Sequence, residues 1–140
     1  MSHTVYRAVL GRIASTVRFV SFARGWDPLR PEDHGVLWEH VVLEHLQAHL
    51  PDLPIRYWRD KAGREVDFVL VRPRDEVDAI ECKWNPSEFD PGALGVFRSH
   101  YPKGKNYLVT PQEGPAYPRR VGRLEVKVCN PEGIGQLVAP

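Results

Sequence analysis

Cysteine is scarce in this chain. Only Cys82 and Cys129 occur in 140 residues, and neither belongs to a CxxC pair. That argues against a structural zinc site. No apolar run approaches the roughly 20 residues that a membrane span needs, and no signal-peptide pattern is present. The expected setting is therefore cytoplasmic, with both thiols reduced and no membrane partner. Excess charge is lacking too. A formal net charge of +1 neither demands nor excludes a nucleic-acid partner. Internal repeats and low-complexity tracts are missing.

What is present fits one compact domain. Apolar residues make up 42% of the chain, enough for a core, and charged residues 26%. The cations are unevenly spread. Seven Lys or Arg fall between Arg98 and Lys127 against two Glu. Arg56, Arg59, Lys61 and Arg64 crowd a second stretch. Each cluster reads either as a basic binding surface or as an ordinary solvated one.

Residues 1–34 carry no clean periodicity and read as an N-terminal segment, a remnant or a packing extension. Within it, Val17 to Phe22 has strand character. The domain proper is expected over 35–140. Val36 to Leu50 is the strongest helix, with Asp33 as its N-cap and Pro51 as its stop. Ile55–Arg59, Arg64–Val71 and Val77–Trp84 read as three strands, the last two forming a hairpin. Asp90-Pro91 opens a second helix that runs to about Tyr101. Asn106–Thr110 and Leu124–Val128 read as two further strands, with a short helix after Asn130. This order predicts an α/β fold with a mixed central sheet flanked by helices.

Side chains alternate between the faces of a strand. Asp67, Val69 and Val71 are expected on one face, with Val66, Phe68 and Leu70 on the other. Val77, Ala79, Glu81 and Lys83 share a face of the next strand. Charged groups inside two apolar strands are costly to bury unless they are paired or bound to a cation. Asp67 and Glu81 supply oxygen ligands for Mg²⁺ or Mn²⁺, and the Cys82 backbone carbonyl offers another. Lys83 is placed to orient an attacking water or to stabilise charge on a phosphate. The alternative is a surface hairpin with an exposed charged face. Glu39 weighs against that alternative. Val42, Leu43, Leu46 and Leu50 put it on or beside the apolar stripe of its helix, whereas Glu44 has polar neighbours. A buried Arg partner would also explain Glu39.

A helix Glu, a strand Asp and an E-x-K on the next strand resemble the PD-(D/E)XK pattern of restriction-endonuclease-like nucleases. The longer stretches Gly35-Val-Leu-Trp-Glu-His-Val-Val-Leu-Glu-His-Leu, Tyr57-Trp-Arg-Asp-Lys-Ala-Gly-Arg-Glu-Val-Asp-Phe and Ile80-Glu-Cys-Lys-Trp look like something narrower. They are similar to the C-terminal domain of uncharacterised function that follows the P-loop module in a family of prokaryotic AAA-type ATPases. That resemblance covers residues 35 to about 110. It implies a restriction-endonuclease-like core and a metal-dependent nuclease acting on DNA. Glu39, Asp67, Glu81 and Lys83 take the catalytic positions. Asp67 and Glu81 are the metal ligands, with Glu39 possible through water. The chain departs from the pattern in having no GxxxxGK[ST] phosphate loop. It therefore reads as a stand-alone or truncated relative, or as an excised piece.

Among other residues, Arg59 and Arg64 are candidates for phosphate contact and His100 for a polar role at the substrate. Tyr57, Trp58 and Trp84 could stack on bases, although core packing is the expected role. His45 and His49 have metal-ligand spacing but no third ligand, so they read as helix surface. Two rivals stand beside the nuclease. One is a non-catalytic nucleic-acid-binding module. The other is an interaction domain for an ATPase or for a second copy of the chain.

Overall fold

Val-rich stretches with short polar turns between them favour strands. The computed structural model, which describes residues 5–7 and 31–140, joins seven strands in one mixed sheet. In chain order they are β1 (Val5–Arg7), β2 (Arg56–Arg59), β3 (Glu65–Val71), β4 (Val77–Cys82), β5 (Asn106–Val109), β6 (Tyr117–Val121) and β7 (Leu124–Cys129). The spatial order is β1-β2-β3-β4-β5-β7-β6. β1 to β4 are antiparallel neighbours, β5 runs parallel to β4, and β7 runs parallel to β5. β6 closes one edge antiparallel to β7. The described helices are α1 (Pro31–His49), α2 (Gly92–His100) and α3 (Pro131–Val138). The expected mixed α/β class is what forms.

Two apolar layers sandwich the sheet. On one face Trp38, Val42, Leu43, Leu46 and Leu50 of the α1 segment, with Ile134 and Val138 of α3, cover Phe68, Leu70, Ile80, Cys82 and Val109. On the other, Leu94 and Phe97 of α2 cover Val69, Val77, Ala79, Leu108, Val126 and Val128. The apolar stripe of α1 is thus the buried one, and Glu44 points to solvent, where it pairs with His40 at 3.0 Å.

β4 lies at the centre, and every residue in it is buried. It carries two acids. Asp78 is fully answered: Arg72 Nε donates to one oxygen at 2.7 Å, and the Lys105 N–H donates to the other at 2.9 Å. Arg72 also donates to the Val138 carbonyl at 2.6 Å, tying the turn before β4 to the end of α3. Glu81 has no such partner set, and the candidate site begins there.

Several expectations shift. α1 begins at Pro31, so Asp33 sits in its first turn rather than capping it. An acid there faces the positive end of the helix dipole. β4 ends at Cys82, leaving Lys83 and Trp84 beyond the strand. α2 begins at Gly92, whose N–H is taken by the Asp90 carboxylate at 2.9 Å. β6 was not foreseen, because Tyr117-Pro-Arg-Arg-Val has no alternating apolar face and Pro118 is tolerated only at an edge. Val66 packs with Val69 rather than with Phe68 and Leu70. A register shift explains it: Arg56 pairs with Val69 but Trp58 pairs with Val66, so β3 carries one extra residue around Asp67. Of the N-terminal segment, Val5–Arg7 forms an edge strand. The strand expected at Val17–Phe22 lies outside the described residues. No helix among the described residues is long and apolar enough to cross a membrane.

Candidate active site

The bulge in β3 falls at Asp67, next to the end of β4. Bulges break strand alternation and re-aim a side chain. The last ladder pair between β3 and β4 is Phe68 opposite Ile80, so Asp67 stands across from Glu81 one step further on. There the Asp67 carboxylate takes the Cys82 N–H at 2.8 Å. The two carboxyl groups also hydrogen-bond to each other.

This pair sits in an open cleft of about 510 Å³. Its walls carry Glu39, Glu65, Asp67, Glu81, Glu88 and Asp90 against two cations, Arg64 and Lys83. α1 brings Glu39 to the rim. The first residues of α2, Gly92 and Ala93, close the opposite side. Lys83 follows β4 directly, and its N–H is fixed on the Val109 carbonyl at 3.1 Å. Among the described residues neither Glu81 nor Lys83 makes an ion pair.

The electrostatics follow from this crowding. Burial pushes the Glu81 carboxyl well above the usual carboxylate range. The charges of Asp67 and Glu39 push the same way, and Lys83 opposes them. Burial also raises Asp67, against the Cys82 N–H, the hydrogen bond from Glu81 and the Lys83 charge. The proton affinity of both carboxyls is thus raised, that of Glu81 the more. Two acids with raised values bind more protons folded than unfolded. Their contribution to stability is therefore complete below the ordinary carboxylate range and is lost as pH rises through the raised values. The Cys82 thiol lies in the opposite layer. Burial, then the charges of Asp67, Glu39 and Glu81, raise it far enough to keep it protonated.

The donor set fits a hard divalent cation. A cation between them would relieve the repulsion between two buried carboxylates. Among the described residues no three His, Cys, Asp or Glu side chains close into a ready ligand cage. Mg²⁺ does not need one, because it keeps several waters and is typically held by one or two carboxylates plus substrate phosphate. Asp67 and Glu81 would be the two carboxylates, with Glu39 also lining the cleft.

Of the other candidate residues, Arg64 reaches the cleft, and its guanidinium is held by Asp60 at 2.6 Å. Arg59 lies outside it, paired with Glu65 at 3.4 Å. His100 closes the far end of α2, about eight residues or ~12 Å along the helix axis from the cleft. The His49 ring nitrogen meets the His45 carbonyl at 2.8 Å within α1, the ring lies against Gly135 of α3, and neither histidine lines the cleft. Sequence reasoning missed Glu65, Glu88 and Asp90. Asp90 carried a signal, but only as a helix cap.

The sheet and its flanking helices define a mixed α/β domain whose central strands end in a buried acid pair, with Lys83 directly after it. Residues 34–126 match the family described as Domain of unknown function (DUF4143), and the chain belongs to that family. The matched span runs from α1 into β7 and contains Glu39, Asp67, Glu81 and Lys83. A comparison with curated proteins finds no match.

Proposed function

We propose that this domain is a metal-dependent phosphodiesterase of the PD-(D/E)XK kind, acting on DNA with Mg²⁺ or Mn²⁺. One observation carries the reading. β4 buries two acids, and of these only Asp78 makes an ion pair among the described residues. Asp78 has Arg72 and a backbone N–H. Glu81 has another carboxylate. A buried acid kept for structure is paired with a cation, as Asp78 is, because an unanswered charge costs several kcal/mol. An acid facing a second acid at the mouth of a cleft is arranged for a cation from outside.

When bound, the metal supplies positive charge that lowers the pKa of a water and neutralises phosphate oxygens. The residues divide the remaining work. Asp67 and Glu81 would hold the cation between their carboxylates. The Cys82 N–H keeps Asp67 turned toward Glu81. Lys83, with no carboxylate of its own, orients the attacking water and meets the charge that develops on the phosphate. The water oxygen bonds to phosphorus and gives up a proton to solvent, the P–O ester bond breaks, and the leaving oxygen takes a proton from solvent. The acidic walls repel a bare polyanion, so productive binding of nucleic acid requires the metal.

The test is a panel of labelled DNA and RNA, single-stranded and duplex, incubated with Mg²⁺, with Mn²⁺ or with chelator. Cleavage is expected with metal, none with chelator, and none for Asp67→Ala under any condition. Folded wild-type protein that cuts nothing on the panel, or an Asp67→Ala protein that cuts normally, would overturn the reading.

A further inference from the structure

Trp84 follows Lys83 immediately and lies outside both apolar layers. It is 47% exposed, the most exposed of the large apolar side chains among the described residues. Core packing, its expected role, does not describe it. The indole is nevertheless held firmly from behind. The His34 ring lies against it with centroids 5.0 Å apart, and the Trp38 ring meets it edge-on at 5.6 Å. Trp38 is itself anchored, donating its indole N–H to the Val109 carbonyl at 2.9 Å. That same carbonyl fixes the Lys83 N–H. After Trp84, the Asn85 side chain caps the 3-10 turn Pro86–Glu88, and Glu88 returns to the cleft wall. The free lysine and the exposed indole are therefore set relative to one another by a single carbonyl at the end of β5.

A half-exposed indole, one residue along the chain from a lysine that makes no ion pair among the described residues, matches the two parts of a nucleotide. The cation suits the phosphate, and the plane suits the base. A base within an intact duplex has both faces covered by its neighbours, whereas an unpaired base has a free face to stack. We propose that Trp84 is a stacking platform for an unpaired nucleobase adjoining the phosphate that Lys83 meets. The substrate is then single-stranded nucleic acid or the frayed end of a duplex. The phosphate half of this inference rests on the phosphodiesterase reading, but the stacking half has its own readout.

A short oligonucleotide carrying one 2-aminopurine tests it, as a single strand and as a blunt duplex, with Ca²⁺ present and with wild type, Trp84→Phe and Trp84→Ala compared. Stacking quenches the fluorescent base. Wild type is expected to quench the single strand and to bind it more tightly than the duplex. Trp84→Ala should lose the quenching and weaken single-strand binding by about tenfold or more, leaving duplex binding and melting temperature in place. Trp84→Phe should keep most of both. Equal binding of single strand and duplex by wild type, no single-strand binding at all, or an unchanged Trp84→Ala would overturn the platform. So would a variant that only breaks a concentration-dependent dimer, since Trp84 would then be a protein contact. Quenching that depends on Trp84 without any metal-dependent cleavage would sink the nuclease reading and leave the platform standing. Cleavage indifferent to Trp84 would do the reverse.

Discussion

Under the proposed phosphodiesterase chemistry, Lys83→Ala is expected to leave divalent-cation binding in place and to lower cleavage by about 10²- to 10³-fold, the usual cost of losing one preorganised charge at the reacting centre. The geometry behind this is the position of Lys83 just past the end of β4. Its backbone is tied to Val109, its side chain lines the acidic cleft, and it makes no ion pair among the described residues. A lysine kept for stability among so many acids would be paired with one of them. Its charge nevertheless lowers the proton affinity of both Asp67 and Glu81. Removing it should therefore move metal binding to higher pH as a second effect. Turnover at saturating Mn²⁺ and affinity by calorimetry separate the two. Unchanged turnover in Lys83→Ala would remove Lys83 from the chemistry.

Asp78→Ala is expected to be the most damaging change for stability outside the apolar core. It strips the partner from Arg72, whose side chain is only 21% exposed, and from the Lys105 N–H. Breaking a buried, hydrogen-bonded ion pair from one side costs about 3–5 kcal/mol. In a domain of this size that lowers the melting temperature by roughly 10–20 °C. Asp78→Asn, which keeps an oxygen for the Lys105 N–H, should lose less. Denaturant unfolding checks both, and a midpoint that moves without a change in slope identifies a stability effect. Metal affinity of the folded Asp78→Asn protein should stay at the wild-type value. A large loss of metal binding there would mean that the two acids of β4 are not functionally separate.

Much of this site was legible in the sequence because it rests on local periodicity. Glu81 and Lys83 are two apart, at and just past the end of a strand, and Glu39 stands out against Val42, Leu43 and Leu46 on a helix. Both patterns survive folding because the sheet buries β4 on both faces and α1 on one. What was not legible depends on long-range pairing. Nothing in Val66-Asp-Phe-Val announces a bulge, which exists only because β2 pairs out of step with β3. The exposure of Trp84 follows from β4 ending two residues earlier than its apolar run. Glu88 and Asp90 reach the cleft because the 3-10 turn after β4 folds the chain back over it. His100 falls at the wrong end because α2 points its N-terminus, rather than its C-terminus, at the acids. β6 is held in the sheet by its partner β7, against its own composition.

The central claim is that Asp67 and Glu81, whose proton affinities are raised, hold a divalent cation between them. Calorimetric titration of Mn²⁺ into wild type and Asp67→Ala, in two buffers of different ionisation enthalpy, measures this directly. The account predicts binding by wild type with proton release, weakening as pH falls toward the ordinary carboxylate range, and no binding by Asp67→Ala. Wild-type protein that binds no cation at any pH, or that binds equally well without Asp67, would contradict it.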